Sequence, residues 1–383
     1  MKYELIATAA FGLEAVVRRE IDALGYDVIK TEDGRIPFTS DELGIARSNI
    51  WLRTADRVYL KMGEFKATSF EELFNEVKKI KWGDIITSDG SFPVIGNSVK
   101  SKLHSIPSCQ SIIKKAVVSS MSLSYDISEF KETGDEYRIR FNALKDKFVI
   151  GIDTSGLGLH KRGYRVKETA APMKETMASA LIQLSFWNKD KVLIDTCSGS
   201  GTIPIEAAMI GRNIAPGISR KFVSENWKIF RNDEWKKARK EAYEAIDYDS
   251  NLSIYGYDID KEAIEASKMN AIEAGVLEDI VFVNKNMSEI YINDYDDYGV
   301  IITNPPYGER IGNIKDIHKI YYKLKEISDK NHTWSIFVIT IDRDFEKYMA
   351  KKADRRRKLY NGRLETQYYQ FHGIKPNKKT KSI

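Results

Sequence analysis

Only two cysteines, Cys109 and Cys197, occur in the 383 residues, and they stand far apart. This excludes a disulfide framework and the paired spacing of a zinc site. No metal is expected. No stretch approaches the ~18 consecutive apolar residues that a membrane helix requires. The opening residues, Met1-Lys2-Tyr3-Glu4-Leu5-Ile6-Ala7, have too short an apolar core and turn acidic too soon for a signal peptide. The expected compartment is therefore the cytoplasm. Internal repeats and low-complexity segments are also missing. Acid is missing locally: residues 90–125 hold Lys100, Lys102, Lys114 and Lys115 with no Asp or Glu.

What is present is an ordinary soluble composition, 42% hydrophobic and 30% charged, with a formal net charge of +5. The length suggests two to three domains. The charge is uneven. Residues 1–160 carry 22 Lys/Arg against 23 Asp/Glu, whereas residues 346–383 carry 12 against 3. Among these are Arg355-Arg356-Arg357-Lys358 and Lys378-Lys379-Thr380-Lys381. Basic segments on a near-neutral body suit a polyanion; the bland alternative is a set of solvated faces and a frayed end.

Residues 1–50 read as a strand (Tyr3 to Thr8), a helix from Gly12 to Leu24 closed by Gly25, and short strands. Residues 56–153 repeat an α+β rhythm. It runs from a strand at Val58–Met62 to a helix over Ser69–Ile80, a strand at Phe92–Gly96 and a helix near Ser108–Ser122. It closes with a hairpin, Tyr137–Leu144 and Lys147–Asp153. Residues 156–172 read as a linker. From about Met173 helices alternate with buried-strand patterns, as in a doubly wound α/β sheet.

Four strand ends in that second half carry chemistry. Val192-Leu193-Ile194-Asp195 runs into Thr196-Cys197-Ser198-Gly199-Ser200-Gly201-Thr202 and then a helix. Strand, glycine-rich turn and helix form a nucleotide-binding scaffold. Pro204 replaces the third glycine of the dinucleotide fingerprint. No Gly-Lys-Ser/Thr follows either, which counts against a phosphate-binding loop. Asp195 would repel a pyrophosphate and attract a ligand cation. The next strand ends at Asp258, followed by Ile259, where a carboxylate can grip both hydroxyls of a ribose; Asp260 caps the next helix. A third strand leads to Asn286 and Met287, placed for an adenine edge and ring, although a core role suits Met287 equally. The fourth closes on Asn304-Pro305-Pro306-Tyr307. Asn304 offers a neutral acceptor, the prolines stiffen the loop and withhold N–H donors, and Tyr307 offers a stacking face. Together they suit a planar exocyclic amine. Alone, the motif is equally a stiff turn.

Asp195–Thr202, Gly256-Tyr257-Asp258-Ile259-Asp260 and Asn304–Arg310 resemble motifs I, II and IV of class I methyltransferases. The joint Leu159-His160-Lys161-Arg162-Gly163-Tyr164-Arg165, followed by Ala171-Pro172-Met173-Lys174-Glu175-Thr176, is similar to that of THUMP-domain RNA methyltransferases, in particular the bacterial 23S rRNA guanine-N2 enzymes. So is Ile214-Ala215-Pro216-Gly217. The resemblance spans essentially the whole chain. It implies a ferredoxin-like segment over 1–55, a THUMP domain over 56–155, a linker over 156–172 and a Rossmann-like methyltransferase domain over 173–383.

It further implies S-adenosylmethionine as cofactor, held by Asp195, Cys197, Ser198, Gly199, Gly201, Thr202, Asp258, Ile259, Asn286, Met287 and Asn304. Catalysis would fall to Asn304, Pro305, Pro306 and Tyr307. The RNA contacts would be Lys100, Lys102, Lys114, Lys115, Arg162 and Arg165, joined by Arg138 and Arg140. The implied partner is 23S rRNA or a ribosomal precursor. Asn286 stands where many relatives have an acid. The chain holds one methyltransferase domain where some relatives hold two, so a second methylation activity is not expected. Adenine-N6 and glutamine-amide methylation use the same four-residue motif and stay open, as does a non-catalytic RNA-binding or assembly role. A dehydrogenase is disfavoured by Pro204 and by the 57-position step from Gly201 to Asp258, where ~20 is usual.

Overall fold

A computed structural model describes residues 2–167, 172–230, 233–292, 295, 298–306, 314–362 and 364–375. Two compact units account for the chain: residues 1–9, 17–159 and 220–241 in one, residues 10–16, 160–219 and 242–383 in the other. The division departs from a single cut at the linker. Residues 10–16 belong with the second unit and residues 220–241 with the first.

The first unit is built on β1 (Tyr3–Ala9), β2 (Asp27–Val28), β3 (Arg35–Ser40), β4 (Ala55–Lys66), β5 (Val94–Val99), β6 (Ile139–Leu144) and β7 (Lys147–Asp153). They form one sheet, ordered β2-β3-β1-β4-β7-β6-β5. Helix α3 (Phe70–Lys78) starts where Ser69 accepts from the Glu72 N–H, a normal N-cap. Segment 220–241 is anchored in this unit. Trp227 stacks on Tyr137 at 4.7 Å between ring centroids and donates its indole N–H to the Glu136 carbonyl. Ser224 donates to the Thr154 carbonyl, and Arg220 to the Leu157 and Gly158 carbonyls.

The second unit holds β8 (Val192–Asp195), β9 (Ile254–Asp258), β10 (Ile280–Asn284), β11 (Gly299–Thr303), β12 (Ser335–Thr340), β13 (Arg355–Asn361) and β14 (Leu364–Phe371). Their order is β10-β9-β8-β11-β12-β14-β13. The first five are parallel, and β14 is antiparallel to both β12 and β13. Apolar runs such as Gly299-Val300-Ile301-Ile302-Thr303 are buried throughout because the sheet is covered on both faces. One face packs on α5 (Glu175–Leu184) and α6 (Thr202–Gly211), the other on α9 (Ile314–Lys330). Among the described residues, no helix is long and apolar enough to cross a membrane.

Candidate active site

From β8 the chain winds outward through β9 to β10. From β11 it winds the other way through β12. The strand order therefore reverses between β8 and β11, and ligands of open α/β sheets bind at such a switch point, beyond the carboxyl ends of the strands. Asp195, Asp258 and Asn304 all stand at that edge.

The turn after β8 is held by its own backbone. The Ser198 N–H donates to the Tyr257 carbonyl at 2.8 Å, and the Gly199 N–H donates to Asp258 Oδ2 at 2.8 Å. Gly199 and Gly201 have φ of +54° and +81°. At Gly201 a Cβ would also lie 2.7 Å from the Ser267 Cβ, so both conformation and space require glycine. Thr202 opens α6 and is buried. Asp195 is 1% exposed and accepts from the Cys197 N–H at 3.1 Å. Burial pushes its carboxyl up to about 7; the Cys197 N–H and Thr303 side chain oppose this, and the neighbouring Asp258 adds to it. Burial likewise raises Asp258. The Cys197 thiol is pushed up to about 12, by burial first and then by the charges of Asp195 and Asp258, so it is no thiolate nucleophile.

Among the described residues, Ser198 Oγ and Asn304 Oδ1 are buried polar atoms at this edge without a hydrogen-bond partner. An unsatisfied buried acceptor costs about 1–3 kcal/mol. Such atoms are expected where a ligand completes the structure. The donor set fits S-adenosylmethionine: a buried carboxylate for a cation, Asp258 for ribose hydroxyls, and polar groups on the glycine turn. Bound cation favours the charged form of Asp195. Cofactor affinity is therefore expected to rise up to about tenfold per unit from pH 6 towards 7 and then level off, with Asp195→Asn abolishing the slope. Titration calorimetry checks this, and a flat profile in the wild type would refute it. The apo protein shows the opposite sign. A carboxyl whose pKa is raised by folding stabilises most in acid, and that contribution is lost as pH climbs through about 7.

Other expected residues are placed differently. Ile259 is 69% exposed beside Asp258, open for an apolar contact. Asn286 uses its Oδ1 to cap the short turn Met287–Glu289, accepting from the Ser288 N–H and hydroxyl. Its Nδ2 donor suits a ring nitrogen better than an amine. Met287 is buried with Ile290, Ile292 and Tyr321 and is a core residue, not an open ring face. Pro305 is buried and Pro306 half-buried; Tyr307 lies outside the described residues.

The two linker arginines are corrected from phosphate contacts to internal ties. Arg162 is 5% exposed and paired with the fully buried Glu206 at 3.4 Å. Tyr164 and Ser179 donate to the same carboxylate. Arg165 binds Glu175 at 2.9 Å, the Met173 carbonyl, and the hydroxyls of Ser200 and Thr202 in the cofactor turn. Asn270, which sequence reasoning missed, accepts from the Val166 and Lys167 N–H groups and donates to the Ser200 carbonyl. Asn284 was also missed; it donates to the Asp258 and Ile259 carbonyls.

In the first unit, Lys100, Lys102 and Lys115 are exposed. Lys114 is committed to Glu132 at 2.5 Å and lies 3.6 Å from the Phe92 ring centroid. Arg138 pairs with Glu136, and Arg140 with Asp153. Among the described residues, no group of three or more His, Cys, Asp or Glu could hold a metal.

Comparison with known proteins agrees with this geometry. Residues 162–370, more than half of the chain, match the RMKL-like methyltransferase domain; residues 67–153 match the THUMP domain and residues 4–59 the RlmL ferredoxin-like domain. The Bacillus subtilis protein named "Putative RNA methyltransferase YpsC" is 46% identical over 99% of this chain and 98% of its own length. The ribosomal RNA large subunit methyltransferase K/L of Cellvibrio japonicus is 29% identical over 97% of this chain, which spans only 51% of that protein. A crystal structure from Listeria monocytogenes, described as a "predicted N6-adenine-specific DNA methylase", is 46% identical with a TM-score of 0.92, covering 98% of this chain and 97% of its own. The structure of SMU.472 complexed with SAH is 43% identical with a TM-score of 0.92, covering 98% of this chain and 99% of its own. The chain belongs to the THUMP-bearing, RMKL-like family of S-adenosylmethionine-dependent nucleic-acid methyltransferases.

Proposed function

We propose that this enzyme methylates the exocyclic N2 of a guanine in 23S rRNA. The observation that carries the reading is the buried Oδ1 of Asn304 at the end of β11, unpartnered among the described residues. The N2 lone pair is delocalised into the base, so the nitrogen is a weak nucleophile. Asn304 Oδ1 and the Pro305 carbonyl accept its two hydrogens, favour pyramidalisation and aim the lone pair. Bound S-adenosylmethionine supplies the electrophilic methyl carbon. No strong base is needed, because the nitrogen becomes acidic once alkylated. Catalysis is by positioning and electrostatics. Tyr307 stacks on the base, which must be flipped out of any helix. The THUMP match and the ribosomal RNA methyltransferase K/L relatives favour RNA; the choice of guanine over adenine follows the resemblance carried by the joint Leu159–Arg165. Methyl-labelled cofactor should mark unmodified 23S rRNA and leave DNA unmarked; label in DNA alone would defeat the reading.

Residues 56–155 form the RNA-binding part of this proposal, with Lys100, Lys102 and Lys115 on phosphates. Replacing these three with alanine in the full chain should weaken RNA binding and flatten the log–log salt dependence by about 2 over ~50–200 mM salt. Filter binding measures both. An unchanged slope would remove these lysines from the interface.

A further inference from the structure

We propose that Phe11, Tyr360, Lys358 and Arg343 form a subsite that stacks an unpaired base of the substrate RNA and contacts its phosphate. This rests on RNA being the substrate. β13 runs parallel to β12, because each is antiparallel to β14. The carboxyl end of β13, with Tyr360, therefore lies at the same sheet edge as Asn304. Three strand spacings, about 14 Å, and a register offset of three residues, about 10 Å, put them roughly 17 Å apart. A base near the target nucleotide can span that distance.

At this edge Phe11 is 51% exposed and meets Tyr360 edge-to-face, with ring centroids 6.0 Å apart. Lys358 Nζ lies 5.4 Å from the Tyr360 ring centroid. Glu365 holds Lys358 at 2.6 Å and Arg343 at 2.9 Å. Arg343 still keeps 74% of its side-chain surface open. Across these three charged groups the balance is one positive charge, and the carboxylate fixes both cations beside the aromatic pair. Charge on β13 alone has a simpler role, since basic residues keep an edge strand from pairing with another chain. That role explains Arg355 to Lys358 but not an exposed phenylalanine beside Tyr360. An aromatic face flanked by cations is what single-stranded nucleic acid requires.

The test uses the full chain, unmodified 23S rRNA transcript and steady-state methyl transfer. Phe11→Leu keeps apolar bulk and removes the ring, and should raise the RNA KM about tenfold. Its kcat and its KM for S-adenosylmethionine should match the wild type. Phe11→Tyr should stay within twofold in every parameter. Three results would overturn the subsite: Phe11→Leu within twofold for RNA, Phe11→Tyr as impaired as Phe11→Leu, or a loss confined to self-association, which would mean that a second copy covers this edge. Wild-type turnover is measured first. If no RNA is methylated, the substrate reading fails and takes the subsite with it, a result distinct from the other three.

Discussion

Asn304→Ala is expected to lower methyl transfer by about 10²–10³-fold, the loss typical of removing one preorganised electrostatic contact. S-adenosylmethionine affinity should stay within a few-fold of wild type, because Asp195, Asp258 and the glycine turn are untouched. Stability supplies a second, independent sign. Asn304 Oδ1 is buried without a partner among the described residues, so its removal relieves a desolvation cost. The apo variant should melt no lower than the wild type. An asparagine with a purely structural role would show the reverse, normal turnover with a lowered melting temperature.

Arg162→Met should destabilise the second unit by about 3–5 kcal/mol, because it strands the carboxylate of Glu206 in the core. Glu206 is fully buried, and Arg162 is its only cationic partner within salt-bridge range among those described. Tyr164 and Ser179 remain as donors but carry no charge. Adding Glu206→Gln to Arg162→Met removes the uncompensated charge and should recover part of the loss. Denaturant midpoints of the single and double variants measure this coupling. If Arg162→Met unfolds at the wild-type midpoint and loses RNA affinity instead, the arginine contacts phosphate after all.

The two arginines show where sequence reasoning stops. A basic residue in a glycine-rich linker reads as surface charge, yet Arg162 and Arg165 are enclosed by Glu206 and Glu175, 44 and 10 residues away. Nothing local in the sequence announces a buried pair. The same blindness hid the fold of Arg355–Asn361. Its consecutive cations mask an edge strand in which only Leu359 is fully buried. Segment 220–241 follows the first methyltransferase motif in sequence yet packs in the first unit, through long-range contacts such as Trp227 on Tyr137.

What was legible was what is local. The three apolar residues of β8 and its closing Asp195, the glycine turn and the first turn of α6 follow directly from pattern and backbone chemistry. Asp260 caps α8 (Lys261–Glu273) as its position before the helix requires. The apolar run Tyr298-Gly299-Val300-Ile301-Ile302 before Asn304 lies one residue from β11 (Gly299–Thr303) at each end. The strand ends could be found in sequence because each pairs a short buried run with a polar terminus. Their convergence on one crevice depends on strand order, which only the sheet reveals.

In the proposed reaction Asn304 holds a guanine amine of 23S rRNA. The most direct test is nucleoside analysis by mass spectrometry of unmodified 23S rRNA methylated in vitro by the full-length enzyme. A single new product, N2-methylguanosine, is expected, and it should disappear with Asn304→Ala. Accumulation of N6-methyladenosine, or N2-methylguanosine undiminished in Asn304→Ala, would contradict it.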